Sequence, residues 1–224
     1  MHCIHCIPHI ATVRASLALI AGIIPVVATA GAPPSTSSGG TPFGALPFAV
    51  PAQFEAEDFD RGGQDVAYHD NAAGNTGGAY RAEEDVDIRA TADVESQYVV
   101  FNFETGEWLT YTLDVATDAR YSIDLRVSTT LDDAAFHIEI DGIDVSGRVT
   151  VPNTGSWQRY RWVGAPRVTL ETGRHVLRVV SAQQYFNFDA VRVTFDTSEV
   201  SSSTSTTKSR ERETTAANVR STAP

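Results

Sequence analysis

The sequence predicts an all-β fold, a jelly-roll β-sandwich of antiparallel strands, and three observations carry that reading. Apolar and polar residues alternate with period two through run after run of the central block. The runs are short and punctuated by Gly, Pro and Asn at close intervals. No segment of the block sustains a helical period, and no internal repeat points to a solenoid or propeller.

In chain order, the first 30 residues read as a secretory signal peptide. Arg14 precedes the apolar run 15–24, and Ala28, Thr29 and Ala30 form a small-x-small cleavage pattern. Pro25 cuts the run short of the ~20 apolar residues that a spanning helix needs. The chain's two cysteines, Cys3 and Cys6, lie ahead of this run with His2, His5 and His9. Such a cluster has zinc-ligand residue types, but it would leave with the signal. The exported protein would then have no thiol for a disulfide, and a bound metal is the obvious substitute. Residues 31–51, rich in Gly, Pro, Ser and Thr, read as a linker. Residues 198–224 read as a disordered Ser/Thr-rich tail.

The block between them, 52–197, is expected to be one domain. In 107–115, Leu109, Tyr111, Leu113 and Val115 share one face. Tyr121, Ile123, Leu125 and Val127 repeat the pattern, and 136–140 runs into an Asp141-Gly142 turn. Further β-rich runs are expected at 143–151, 157–163, 167–170 and 174–180, with breaks at 152–155, 164–166 and 171–173. The last strand ends on Val191, Val193 and Phe195, and strict alternation puts Asn187 and Asp189 on that same face. Only 61–90 departs from the pattern: its Gly and Asn content predicts a long structured loop that carries function or binds an ion.

Composition narrows the function. A net charge of −11 argues against nucleic acid, whose phosphates need clustered Lys and Arg, and suits a neutral ligand better. Glu55 and Glu57 are two apart in an extended segment, so their carboxylates project from one face about 7 Å apart along the backbone. If the first strand lies near the last, Asp189 joins them, and carbonyls of the loop near Arg81 complete an oxygen cage for Ca²⁺. The alternative is a pair of solvated glutamates on a sheet edge. Trp157 follows a Pro-Asn-Thr-Gly-Ser turn, where its ring can be offered to a sugar with the Asn187 amide beside it. Equally, it could cap the core. Trp108 and Trp162 fall inside strands and read as packing residues.

Taken in order, the motifs of the central block resemble those of family 6 carbohydrate-binding modules. They are 54–58 (Phe-Glu-Ala-Glu-Asp), 68–71, 74–81, 85–88, 106–112 (Gly-Glu-Trp-Leu-Thr-Tyr-Thr), 151–158, 173–178 and 186–189 (Phe-Asn-Phe-Asp). The resemblance runs from about Gln53 to Phe195. It implies a non-catalytic, calcium-stabilised sugar-binding sandwich, secreted, monomeric, and often appended to a polysaccharide-degrading enzyme in a longer parent protein. It assigns structural calcium to Glu55, Glu57, a carbonyl of the loop ending at Arg81, and Asp189. It assigns the sugar cleft to Trp157, Asn187 and a second aromatic, whose usual position falls on Asn102. Phe101 and Phe103 flank that position, so a small shift would bring one of them into the cleft. Trp108 matches a second cleft found on the sheet face of some members. The competing enzyme reading, a small glycoside hydrolase or lyase, would rest on Glu104 with Glu107 or on His137 with Glu139. Such catalysis needs two carboxylates facing across a cleft. A surface protein that binds another protein is the third class.

Overall fold

The computed structural model describes residues 40–197. The expected signal peptide, the Cys3/Cys6 cluster, residues 31–39 of the expected linker and the tail lie outside the described residues. No helix among the described residues is long and apolar enough to cross a membrane.

Thirteen strands follow one another: β1 (Phe48–Val50), β2 (Ala52–Glu55), β3 (Tyr68–His69), β4 (Ile88–Ala90), β5 (Tyr98–Val100), β6 (Trp108–Val115), β7 (Ala119–Ser128), β8 (Ala135–Ile140), β9 (Ile143–Asp144), β10 (Val149–Thr150), β11 (Arg161–Leu170), β12 (Gly173–Gln183) and β13 (Asn187–Phe195). A 3₁₀ turn, Ala56–Asp58, follows β2. One sheet runs β1-β6-β12-β8-β10, with β3 on β6 and β9 on β8. The other runs β11-β7-β13-β5-β4, with β2 on β13. The two inner faces make one core, in which Leu109, Tyr111 and Leu113 of β6 meet Ile123, Leu125 and Val127 of β7 and Phe188 and Val191 of β13. This is the all-β sandwich that the alternation predicts.

Several details differ from the sequence reading, each for a physical reason. The expected linker is ordered at its C-terminal end. Phe48 stacks on Phe54 with ring centroids 4.0 Å apart, Val50 is buried, and β1 runs parallel to β6. The expected strand at 143–151 and the expected break at 164–166 both come out differently. Only β9 and β10 form within 143–151, whereas β11 continues through Gly164 and Pro166 with a register irregularity between Ala165 and Val168. Proline is tolerated there because β11 is the edge of its sheet. The strand expected to start at Trp157 starts at Arg161, leaving Trp157 in a turn.

The most consequential difference is in β13. Its pairing with β7 skips a residue between Phe188 and Ala190, so Asp189 is the extra residue of a bulge opposite Arg126. The bulge inverts parity. Phe188 and Val191 both enter the core, while Asn187, opposite Ser128, lies on the face away from it. Strict alternation placed Asn187 and Asp189 on the core face; the extra residue moves them off it.

Because β1 adds buried apolar surface, removing it should weaken the sandwich. A fragment beginning at Ala52 is expected to be about 2 to 4 kcal/mol less stable than one beginning at Gly40, read from urea denaturation. Coincident unfolding curves would contradict the structural role given to β1.

Candidate functional site

Two clusters of polar groups lie at neighbouring rungs of the β7–β13 pair. The first is acidic. Glu55 at the end of β2 pairs with Ala190, so it stands beside Asp189, and the 3₁₀ turn places Glu57 one turn further on. Glu57 and Asp189 are buried, at 3% and 1% exposure. One oxygen of each acid, Glu55 Oε2, Glu57 Oε2 and Asp189 Oδ1, is buried without a hydrogen-bond partner. Burial, reinforced by the carboxylates of Glu55, Asp58 and Asp189, pushes Glu57 up to about 8. Burial and the charge of Asp189 also raise Glu55. Anionic oxygens left unpaired in a low-dielectric site are costly, and a cation between them removes both the burial penalty and the repulsion.

Asp189 already has one cationic partner. Its Oδ2 accepts from Arg126 Nη1 at 2.5 Å, and the same nitrogen donates to Asp93, while Nε lies 3.3 Å from Glu95. The loop 93–98 is thereby held as one wall of an open cavity of about 540 Å³ that Glu55, Glu57 and Tyr80 also line. Among the described residues, no group of three His, Cys, Asp or Glu side chains stands close enough to make a finished metal shell. The orphaned oxygens of three acids that burial raises nevertheless fit a hard divalent cation, with Asp189 turned partly toward Arg126. Arg81 has a further part, played by its side chain. Its own carbonyl accepts from Glu84 N at 3.1 Å. Its guanidinium lies over the Phe59 ring and donates to the carbonyls of Glu57, Phe59 and Asp60, so it staples the turn that carries Glu57.

The second cluster holds Trp157. The turn 154–157 is anchored through Thr154, whose Oγ1 donates to Thr129 O and whose N–H donates to the same carbonyl. The Trp157 carbonyl accepts from Ser128 Oγ at 2.8 Å and from Asn187 Nδ2 at 2.9 Å. The Trp157 side chain is half-buried, neither free in solvent nor part of the core. Asn187 is 2% exposed, so the bond it visibly makes is to the platform's backbone.

The Phe101/Asn102/Phe103 ambiguity is resolved by the backbone. Asn102 has φ 53° in the left-handed region, which breaks the alternation, and its Nδ2 donates to Asp87. Phe103 turns inward against Phe186 and Phe188 and is 2% exposed, so it is a core residue and not a cleft wall. Phe101 stays half-buried with Arg89 over its ring at 4.4 Å. The Gly-rich loop passes beneath it so closely that a Cβ at Gly77 would lie 2.0 Å from Ile88 O and 2.7 Å from the Phe101 ring.

Tyr185 was not singled out by the sequence reading. It is exposed two residues before Asn187, its hydroxyl donates to Glu104 Oε1 at 3.4 Å, and its carbonyl accepts from Thr129 Oγ1, the residue that anchors Thr154. An aromatic just ahead of the closing Asn-Phe-Asp was the available signal. Trp108 lies away from both clusters, on the outer face of the other sheet. There His69 stacks on its ring at 6.3 Å and Arg178 covers it at 4.4 Å. Of the candidate catalytic pairs, Glu107 is buried and spends its oxygens on the N–H groups of Asn71 and Glu104. Glu139 is paired with Arg178 and His137 on the open sheet face.

A two-sheet sandwich presenting a backbone-clamped tryptophan at one loop edge is the architecture of a carbohydrate-binding module. A family model for carbohydrate binding module family 6 matches residues 76–195, more than half of the chain, and the chain belongs to that family. Among solved structures, a family 6 module described in a binding sub-site dissection is similar at 17% identity, TM-score 0.50, over 67% of this chain and 98% of that one. The C-terminal family 6 module of a laminarinase from Zobellia galactanivorans is 22% identical (TM-score 0.49; 64% and 98% covered). A module of lichenase 5A from Cellvibrio mixtus, solved with cellotriose, is 21% identical (TM-score 0.49; 65% and 97%). No match was found among curated proteins.

The opposite fates of the two phenylalanines can be measured. Phe103→Ala should cost about 3 to 5 kcal/mol in chemical denaturation, and Phe101→Ala clearly less. Equal losses would contradict the assignment of Phe103 to the core and Phe101 to its margin.

Proposed function

We propose that the domain is a secreted, monomeric, calcium-stabilised module that holds a neutral polysaccharide or oligosaccharide chain against Trp157 without cleaving it, and that it targets an associated enzyme or cell surface to the glycan. The single observation that carries this reading is the half-exposed Trp157 ring on a carbonyl clamped by Ser128 and Asn187. A rigidly held indole can take the apolar C–H face of a pyranose at little ordering cost, and the surrounding amides and hydroxyls suit its hydroxyl groups. Tyr185 is the exposed aromatic of the same region, and Phe101 offers a partly covered ring on its margin. The acidic surface disfavours anionic glycans. Export rests on the apolar run before Pro25, and the link to an enzyme on the Ser/Thr-rich segment after 197.

Glu55, Glu57 and Asp189 would hold the calcium ion, which supplies positive charge to oxygens that otherwise have no partner. These residues sit behind the sugar platform and not in it, so the ion's part is structural. Hydrolysis is disfavoured by Glu107, whose oxygens bind backbone N–H groups and not an open cleft. A second cleft at Trp108 would require Arg178 to leave the indole face.

Two measurements check the reading. A ligand at 100 times its dissociation constant stabilises by about 2.7 kcal/mol, so chelator should lower the melting temperature of the metal-loaded protein by about 5 to 10 °C. An unchanged melt with no metal by elemental analysis would remove the ion. On a polysaccharide array, Trp157→Ala should lose about thirtyfold in affinity for whichever glycan the parent retains, with little loss of stability. Retention surviving Trp157→Ala but not Trp108→Ala would move the cleft to the other sheet.

A further inference from the structure

The acidic pocket and the tryptophan platform are built on consecutive rungs of one ladder. Asn187 pairs with Ser128, and these two side chains grip the Trp157 carbonyl. At the next outward-facing rung Arg126 meets the bulged Asp189. Arg126 does more than neutralise an acid. Its guanidinium lies over the Tyr160 ring, 4.6 Å from the centroid, and Tyr160 is three residues beyond Trp157, at the end of the same loop. The buried Tyr160 hydroxyl faces Thr91 and Asn187, and packing on the guanidinium holds the face of the ring. The loop is tied on its other side to the 91–97 segment, where Thr91 Oγ1 donates to Gln158 Oε1. Arg126 grips that segment too, through Asp93 and Glu95. One planar cation therefore touches an acid of the pocket, the 93–98 wall of the pocket and the base of the platform loop.

We propose that Arg126 and Tyr160 are positioning residues that transmit the state of the acidic pocket to the Trp157 platform, so that a divalent cation bound at Glu55, Glu57 and Asp189 tightens the sugar-binding loop. The inference rests on the metal reading above. Asp189 Oδ2 faces Arg126, while its Oδ1 is buried without a partner. A cation held by the three acids would share that carboxylate with Arg126, and the guanidinium would shift in response. Tyr160, stacked on that guanidinium, follows, and the loop carrying Trp157 follows Tyr160. By linkage, the coupling is reciprocal: glycan at Trp157 would raise calcium affinity in the same proportion.

The test uses the full chain and calcium alone, so it does not depend on knowing the glycan. Indole N–H resonances are assigned by Trp→Phe variants and followed during a calcium titration, while calorimetry reports metal binding separately. The Trp157 resonance is expected to shift in step with the binding isotherm, with Trp108, on the other sheet, as the unmoved reference. In Tyr160→Leu the metal isotherm should persist and the Trp157 shift should be largely lost. Arg126→Lys, which keeps a charge for Asp189 but has no plane to stack on Tyr160, should behave likewise and serves if Tyr160→Leu fails to fold. A normal isotherm with a motionless Trp157 overturns the coupling alone, as does a full shift in both variants. No isotherm at all overturns the metal reading and the coupling with it.

Discussion

The bulge at Asp189, held by Arg126, is the constraint on which the two clusters depend. A regular β13 would put Asn187 and Asp189 into the core beside Val191, where no partner could satisfy them. One extra residue turns both outward while keeping Phe188 and Val191 inside. The same strand thus contributes to the sandwich core, to the platform clamp through Asn187 and to the acidic pocket through Asp189. Arg126, on the strand facing the bulge, is the group that makes a buried carboxylate tolerable there.

The electrostatics of the pocket follow from burial more than from charge count. Glu55, Glu57 and Asp189 are all raised, with desolvation the leading cause in each case. Arg126 offsets part of this at Asp189, but it reaches one oxygen and is shared with Asp93. Arg81 is close by yet directed elsewhere: its guanidinium is consumed by three carbonyls and Glu84. The result is a set of oxygens with too little positive charge nearby, a different situation from Glu107, whose burial is compensated by two backbone donors.

Much of this was legible in the sequence. Alternation in 107–115 and 121–127 gave β6 and β7 with the right inner faces, because both strands pack one side on a core. The proximity of Glu55 to Asp189 followed from supposing the strand of Glu55 adjacent to the last one, and β2 and β13 are paired. The parity of Asn187 was misread because a bulge leaves no mark on composition. The Phe101/Phe103 choice hung on the φ of Asn102, a residue type that tolerates the left-handed region without requiring it. Pro166 and Gly164 read as a break, yet Pro166 falls in the register irregularity of an edge strand, where its missing N–H interrupts no ladder bond. The expected linker hid β1, since Phe48 and Val50 are only three residues from its boundary and too few to show a period. Arg126 and Tyr160 carry no local signal; their roles come from what the fold sets against them.

The central proposal is that the acid cluster β13 presents beside the clamped aromatic platform holds a divalent cation. Crystals of the domain grown with calcium and then exchanged into terbium would test it most directly, through the anomalous difference map. The account predicts one strong peak coordinated by Glu55, Glu57 and Asp189, with Arg126 still on the other oxygen of Asp189. A map with no peak there, or with Arg126 alone filling the space among the three acids, would contradict it.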